Sequence, residues 1–287
     1  MISPSGKKAV PKAASPSPQS PPIEGGETSN VIPGREALSI DGRLADGSTI
    51  RWAIAEEVPV SLTYNGSSSV VMMATPQDLE DFAVGFSVTE EMVDRASDID
   101  EVLVSETPVG LLVDILTKPG AVSTAAARRR AIAGRTGCGL CGIESLEDAV
   151  RPPHPVRRGF DFDIQAVAHA FDELRDHQPL NRRNRSVHAA AWAGPDGTIR
   201  LAREDVGRHN ALDKLIGAML RQALDPAQGM VIMSSRCSFE LVQKAAFVGV
   251  PVLATISAPT TLALDLARKA GMQLAALSPQ GVVALEG

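Results

Sequence analysis

Residues 230–257 read "MVIMSSRCSFELVQKAAFVGVPVLATIS", and this stretch is the clearest indication of the fold class. Its two ends, "MVIMS" and "VLATIS", are apolar at successive positions, which is typical of strands buried on both faces of a sheet. The segment between them predicts a helix near residues 239–248. A strand, a helix and a second buried strand in this order predict a parallel or mixed sheet layered with helices.

The same alternation extends over the C-terminal half of the chain. The strand-like runs "VHAAAWA" and "TIRLA" flank the turn "GPDG", and "QLAAL" predicts a further strand. Helices are predicted near 162–176, 210–223 and 261–270, the first from its periodic apolar face. These elements predict a larger α/β domain over residues 161–287.

The N-terminal half has a different pattern. The stretch "VPVSLTYNGSSSVVMMATP" (58–76) holds two apolar-rich runs around Asn65-Gly66, which is a strong hairpin signal. Thr75, Pro76 and Asp78 predict the capped start of a helix, whose apolar face would be formed by Leu79, Phe82, Ala83 and Phe86. With two more strands predicted near 98–104 and 110–116, residues 33–125 are expected to form a small α+β domain. The chain as a whole is therefore expected to be α/β, or α+β when both domains are counted.

Composition limits the class of protein. The chain has 287 residues, is 44% hydrophobic and carries a formal charge of 28 minus 34, or −6. It contains no apolar run of membrane-spanning length, and its acidic balance gives no reason to expect nucleic-acid binding. Three cysteines, an odd number, favour a reducing compartment, so we expect a cytoplasmic protein. Residues 1–32 hold six prolines and six serines and are predicted to be a disordered tail.

Two cysteines lie in the glycine-rich stretch "GRTGCGLCG" (134–142), at Cys138 and Cys141. The stretch falls in a predicted linker, 126–160, which also carries a basic run with Arg128, Arg129, Arg130 and Arg135. The pair could serve as two ligands of a zinc ion, as a thiol–disulfide exchange site, or as a loop that carries sulfur.

Zinc fits the pair poorly, because a structural site needs four ligands and the chain has no second close-spaced pair. A zinc deaminase needs a glutamate two residues after its histidine, whereas His188 is followed by Ala189 and Ala190. Exchange sites usually begin a helix, which glycines disfavour. A mobile loop with two thiols suits a persulfide carrier, in which one sulfur accepts cargo and its neighbour protects or resolves it.

Three polar segments follow predicted strands: 203–214 ("REDVGRHNALDK"), 234–240 ("SSRCSFE") and 257–261 ("SAPTT"). Ligands of open α/β sheets collect at the carboxyl ends of strands, where helix N-termini present free N–H groups. Ordinary N-capping by Ser238 and Thr260 would explain two of the segments. Segment 203–214 holds more charged residues than the capping of one helix requires. The three segments therefore predict one pocket for an anionic, hydrogen-bonding ligand such as a nucleotide.

Six segments of this chain carry a family resemblance: "TPQDLEDFAVGFSVTE", "GCGLCG", "VHAAA", "REDVGRHNALDKLIG", "SFELVQKAAFVGVPV" and "ISAPTTLALDLARKAGM". In this order they resemble the formate dehydrogenase accessory sulfurtransferases of the FdhD family. The resemblance implies a cytoplasmic sulfur carrier, usually a homodimer, that takes persulfide sulfur from a cysteine desulfurase. The acceptor would be the bis-molybdopterin guanine dinucleotide cofactor of molybdenum or tungsten, before it enters formate dehydrogenase. The implied fold of the larger domain is a three-layer α/β domain like that of cytidine deaminase.

The resemblance also implies roles for particular residues. Cys138 would carry the persulfide, with Cys141 as its helper. The cofactor, or GDP as its mimic, would contact Arg203, Asp205, Arg208, His209, Asn210, Asp213, Lys214, Ser234, Ser235, Arg236, Ser257, Ala258, Pro259 and Thr260. A C-terminal cofactor contact of the family would fall on Leu277, Ser278, Pro279, Gln280, Gly281 and Val282, where this sequence departs from the family pattern.

Two other functions can be compared with that of a sulfur carrier. A chaperone that binds the cofactor without chemistry would use the same pocket but would not need Cys138. Nucleotide hydrolysis lacks a P-loop lysine motif. Cys237 is expected to be a small buried or capping residue, and Glu240 and Lys244 a surface helix pair at i, i+4.

Overall fold

A computed structural model describes residues 38–123, 152–157, 159–160 and 163–285. The predicted N-terminal tail, the basic run, Cys138 and Cys141 lie outside the described residues.

The N-terminal part contains a hairpin and a small sheet. Strands β1 (Ser39–Arg43) and β2 (Thr49–Ala53) pair antiparallel as a separate two-stranded sheet. A four-stranded sheet in the order β4-β3-β6-β5 follows, built from β3 (Val58–Tyr64), β4 (Ser67–Ala74), β5 (Ile99–Thr107) and β6 (Gly110–Thr117). Helix α1 (Leu79–Thr89) packs on one face of this sheet, where Leu79, Phe82, Ala83 and Phe86 are buried as predicted.

The hairpin predicted at Asn65-Gly66 is confirmed. It joins antiparallel β3 and β4, and both turn residues have positive φ, 51° and 72°, as a type I′ turn requires. The Asn65 side chain donates to the Thr117 hydroxyl at 2.9 Å, which ties the turn to β6.

The predicted cap of α1 is wrong. Asp78 occupies the N-cap position in a left-handed conformation, φ 53°, and makes no side-chain cap bond. The hydroxyl of Thr75 instead accepts a hydrogen bond from the Val206 N–H of the larger domain at 3.1 Å. A contact between domains therefore replaces the local cap.

The larger domain is built on six strands and five helices of the described chain. The helices are α2 (Ile164–Leu174), α3 (Pro179–Asn184), α4 (Arg208–Arg221), α5 (Phe239–Phe247) and α6 (Thr261–Ala270). The strands are β7 (His188–Ala193), β8 (Ile199–Asp205), β9 (Met230–Cys237), β10 (Val252–Pro259), β11 (Gln273–Ser278) and β12 (Gly281–Leu285). Short 3-10 turns lie at Ala96–Asp98 and Pro226–Gln228.

These elements form three layers, as predicted. The sheet runs β12-β11-β10-β9-β7-β8, with β9, β10 and β11 parallel and the other pairs antiparallel. One face packs against α4, α5 and α6, and the other against α2. The fold is thus a mixed α/β domain joined to a smaller α+β unit.

Part of the predicted linker packs on the larger domain. The Val156 N–H donates to the Ala270 carbonyl at 2.7 Å, and Val156 contacts the core beneath α5 and α6. The ring of His154 lies edge-on to Phe247, with 4.6 Å between the ring centroids. Residues 152–157 therefore belong structurally with the larger domain.

Candidate anion-binding site

The three predicted segments begin at one edge of the six-stranded sheet. β9 and β10 are parallel, and Arg236 pairs with Ser257 where both strands end. β7 runs antiparallel to β9, so its first residue, His188, lies at the same edge and pairs with Asp205 at the end of β8. The Ala189 N–H donates to the Ser234 hydroxyl at 2.7 Å, which joins β7 to the end of β9.

Two arginines and two histidines concentrate at this edge. Burial lowers the pKa of His188 from its usual value, and Arg208 lowers it further. Asp205 acts in the opposite sense, whereas His209 and Arg236 add to the lowering. The influence of Arg208, Arg236 and His209 on His188 places these four side chains in one electrostatic cluster (His188, Arg208, His209 and Arg236), which we call the cation cluster after its two arginines.

Two helix N-termini add to the positive potential. α4 starts after Gly207, which has no side chain to cap it, and α5 starts after Ser238, whose hydroxyl makes no cap bond in the described structure. The predicted cap at Ser238 is therefore wrong. The one at Thr260 is confirmed, because its hydroxyl accepts from the Ala263 N–H at 3.2 Å. An uncapped first turn leaves backbone N–H groups available to an anion.

Four polar atoms at this edge are buried and lack a hydrogen-bond partner among the described residues. They are Arg208 Nε, His209 Nε2, Ser238 Oγ and Glu240 Oε2. His209 Nε2 and Glu240 Oε2 lie 3.9 Å apart, which is longer than a hydrogen bond. Buried polar atoms in native proteins are normally satisfied, so this group marks a place where water or a polar ligand would complete the hydrogen bonding.

Five of the residues predicted to contact the cofactor are buried inside the protein: Asp205, Asn210, Asp213, Lys214 and Ser235. Lys214 is inaccessible, and its Nζ lies 2.7 Å from Asp205 Oδ2 and donates to the Thr75 carbonyl at 2.9 Å. Asn210 donates to the Met73 carbonyl at 2.8 Å. These contacts hold the start of α4 against the β4–α1 loop. The prediction that Asp205, Asn210 and Lys214 face a ligand is corrected, because their polar atoms already bind the smaller domain.

Asp213 has a similar structural role. Both of its carboxylate oxygens lie 2.9 Å from Lys244 Nζ, and one accepts from the Thr89 hydroxyl at 2.7 Å. Glu90 approaches the same Lys244 Nζ at 2.7 Å. Burial raises the pKa of Asp213, although Lys244 acts in the opposite sense. The predictions of Asp213 as a ligand contact and of Glu240 and Lys244 as a surface pair are therefore corrected.

The remaining residues predicted to contact the cofactor differ in their exposure and in their partners. Arg203 is committed to the smaller domain, with its Nη2 2.9 Å from Asp81 Oδ2. Arg236, Ser257, Ala258 and Thr260 are exposed at the strand ends, whereas Ser235 is buried and Pro259 is half-buried. The β11–β12 turn, which holds residues 277–282, is largely exposed at the same edge, but β10 and β11 lie between it and β9.

Two residues of this edge have positions that the sequence predicts only in part. His188 is predicted only as a possible zinc ligand, and Glu240, although it lies in the predicted pocket segment 234–240, is predicted as half of a surface helix pair. Both reach the edge because β7 runs antiparallel to β9 and because α5 starts beside α4. Only the order of strands in the sheet shows that both residues lie at this edge, and that order cannot be predicted from neighbouring residues.

Among the described residues, no group of three or more histidine, cysteine or acidic side chains could hold a metal ion. No helix in the described ranges is long and apolar enough to span a bilayer. The fold and site together define a three-layer α/β protein with a candidate anion-binding site at the carboxyl edge of its sheet.

Comparison with known proteins specifies the family. Residues 55–282 match the model of the FdhD/NarQ family. A sulfur carrier protein FdhD of Bordetella petrii is 45% identical over 237 residues, which cover 83% of this chain and 85% of that one. The protein of the same name from Cupriavidus necator is 50% identical over 222 residues, 77% of each chain. This chain belongs to the FdhD/NarQ family.

A solved structure supports the fold independently. The crystal structure of a candidate formate dehydrogenase accessory protein from Desulfotalea psychrophila matches with a TM-score of 0.67 and 22% identity. The match covers 88% of this chain and 96% of that chain.

Proposed function

We propose that this protein is a sulfur carrier that serves formate dehydrogenase. Cys138 receives sulfur as a persulfide from a cysteine desulfurase, with Cys141 as its helper. The sulfur then passes to the bis-molybdopterin guanine dinucleotide cofactor of molybdenum or tungsten. Relatives at 45% and 50% identity are named as sulfur carrier proteins, which supports this assignment. Cytoplasmic location and a homodimeric state are part of the same proposal.

The observation that carries the proposal is the anion-binding edge. The cation cluster and the uncapped starts of α4 and α5 suit the phosphates of a nucleotide-bearing cofactor. The unpartnered atoms of Arg208 and Ser238 are donors that phosphate or sugar oxygens would accept from. We propose that the guanine dinucleotide portion of the cofactor binds here, and that GDP acts as its mimic.

The remaining cysteine does not suit the carrier role. Cys237 is only 1% exposed, and burial raises the pKa of its thiol to about 12. Sulfur transfer requires a thiolate that attacks the outer sulfur of a donor persulfide and releases the donor as a thiolate. Cys237 is a neutral, enclosed thiol at physiological pH. We therefore assign the sulfur transfer to Cys138 and Cys141.

Intact-mass measurement tests the carrier role. Incubation with a cysteine desulfurase and free cysteine should add about 32 Da, the mass of one sulfur atom, in a form that reductant removes. Cys138→Ala should abolish the gain and the maturation of formate dehydrogenase, Cys141→Ala should weaken both, and Cys237→Ala should change neither. Normal maturation by Cys138→Ala would favour a chaperone that only holds the cofactor.

Calorimetry with GDP tests the site separately. We expect binding that weakens as salt increases, because the contacts are ionic. An Arg208→Gln, Arg236→Gln double variant should bind at least about tenfold more weakly, since each cation contributes a charge-assisted hydrogen bond. Absence of GDP binding at millimolar concentration would remove the nucleotide from the proposal without affecting the sulfur assay.

A further inference from the structure

Glu240 is an acidic residue at a site that is otherwise built for anions. It lies in the first turn of α5, beside the cation cluster, and its side chain is only 16% exposed. Burial would raise its pKa, but interactions with His209 and Ser238 more than offset this effect and lower it to about 2. Glu240 is therefore a carboxylate at any physiological pH.

A helix-dipole explanation accounts for only part of this arrangement. An acidic residue in the first turn stabilises a helix, and Glu240 occupies such a position. That role needs no burial. Here Oε2 is buried without a hydrogen-bond partner among the described residues, although a charged acceptor is costly to bury unpaired.

His209 does not satisfy Glu240 either. Their closest atoms are 3.9 Å apart, and His209 Nε2 is itself buried and unpartnered within the described structure. The two groups lie side by side yet leave both hydrogen-bonding positions open. A bound molecule that presents N–H or O–H groups to Glu240 would complete the acceptor.

The charge of Glu240 also sets a condition on the ligand. A ligand that consists only of phosphate groups would be attracted by the cation cluster and repelled by the neighbouring carboxylate. A ligand with phosphates at one end and hydrogen-bond donors close by would be favoured by both.

We propose that Glu240 is the specificity-determining residue of this site, where it accepts hydrogen bonds from N–H or O–H groups of a phosphate ester and disfavours phosphate-only anions. This assignment rests on the proposed function, because the phosphates are taken to lie against His188, Arg208 and Arg236. The ligand class is a nucleoside diphosphate or a similar ester. The donors come from its base or from its sugar.

The test compares GDP with pyrophosphate by calorimetry on the full-length protein. Wild-type protein should bind GDP more tightly than pyrophosphate. Glu240→Gln should weaken GDP binding about tenfold, since a hydrogen bond to a charged group is lost. It should strengthen pyrophosphate binding, because the repulsion is removed. Asp265→Asn, a matched change at an exposed carboxylate of α6, should alter neither affinity.

A second variant separates the effect of the negative charge from the effect of side-chain length. Glu240→Asp keeps the negative charge but withdraws it by one methylene group, so GDP should bind more weakly while pyrophosphate binding stays low. GDP analogues then identify the donors: 2′,3′-dideoxy-GDP lacks the sugar hydroxyls, and inosine diphosphate lacks the amino group of guanine. The analogue that has lost the relevant donor should be insensitive to Glu240→Gln.

Equal weakening of GDP and pyrophosphate by Glu240→Gln would overturn the specificity role and leave the anion site intact. Strengthening of both would show a purely repulsive role and would also overturn it. Failure of wild-type protein to bind either ligand would remove the anion site and this assignment together. The sulfur-loading assay does not depend on Glu240, so it reports on the carrier function independently.

Discussion

Gly85 of α1 and Gly217 of α4 lie where the two helices cross, with the backbone of one helix against the backbone of the other. A Cβ atom on Gly85 would lie 1.8 Å from the carbonyl oxygen of Asp213, and one on Gly217 would lie 1.8 Å from that of Asp81. Neither distance leaves room for a side chain. The close crossing brings the end of α1 within reach of Asp213 and Lys244, and so joins the two domains.

The first prediction concerns this crossing. Gly85→Ala or Gly217→Ala should lower the free energy of unfolding by about 3 kcal/mol, because a methyl group would force the two backbones apart. Urea denaturation measures the change. Gly42→Ala is the control, since its Cβ would meet no atom closer than 3.7 Å. Loss of less than about 1 kcal/mol in both helix variants would show that the crossing adjusts freely.

The second prediction concerns the buried ion cluster. Lys244→Met should remove the ammonium group that lies against the buried carboxylates of Asp213 and Glu90, at a cost of about 3–5 kcal/mol. Asp213→Asn combined with Lys244→Met should recover part of this loss. Lys269→Met, at an exposed position of α6, should have little effect.

The pH dependence of Lys244→Met provides a further check. The pKa of Asp213 is already raised by burial and should rise further without the lysine. A carboxyl group whose folded-state pKa is raised favours the folded state below its unfolded pKa, and that contribution is lost as pH rises through the folded pKa. The variant should therefore gain stability relative to wild type as pH falls from about 7 to 5. A difference in the free energy of unfolding between wild type and Lys244→Met that does not change with pH would contradict a raised pKa of Asp213 in the variant.

The third prediction concerns His188. Its pKa is lowered by burial and by Arg208, so the folded state resists protonation and its contribution to stability falls as pH drops below the ordinary histidine range. An anion bound at the cluster would offset the charges of Arg208 and Arg236 and raise this pKa. Ligand binding should then take up protons.

Calorimetry of GDP binding in buffers with different ionisation enthalpies measures the proton uptake. We expect affinity to increase as pH falls from about 8 to 6, and His188→Gln to reduce that dependence. Part of the dependence belongs to the phosphate itself, so the difference between the two proteins is the quantity of interest. His169→Gln, at an exposed position of α2, serves as the control. Identical proton uptake by wild type and His188→Gln would exclude the histidine.

The sequence predicted those features that depend on local pattern. Apolar strands joined by a helix indicated the layered sheet of the larger domain, and Asn65-Gly66 indicated the hairpin of the smaller sheet, because each signal lies within a few neighbouring residues. The partners of Thr75, Asp213 and Lys244 could not be predicted in this way. Thr89 bonds Asp213 across 124 positions of sequence and Glu90 bonds Lys244 across 154.

The same limit applies to the site. Segment 203–214 was recognised as polar, but only the folded structure separates Arg208 and His209, which face the edge, from Asp213 and Lys214, which are buried one turn further along α4. Neighbouring residues of a helix lie on different faces, and what packs against each face decides which of them are buried. For α4, the smaller domain covers the face that holds Asp213 and Lys214, and the crossing of Gly85 and Gly217 sets its position.

The last prediction concerns Cys237, which should be chemically inert in the native protein. Because burial raises the pKa of its thiol to about 12, its thiolate fraction at pH 7.5 is roughly 1,000-fold or more below that of an ordinary cysteine. A variant with Cys138→Ala and Cys141→Ala isolates this thiol. Iodoacetamide labelling, followed by mass spectrometry, should be at least about 1,000-fold slower in native protein than in urea. Rapid labelling of the native variant would show that Cys237 is accessible as a thiolate, and all three cysteines would then have to be considered as sulfur carriers.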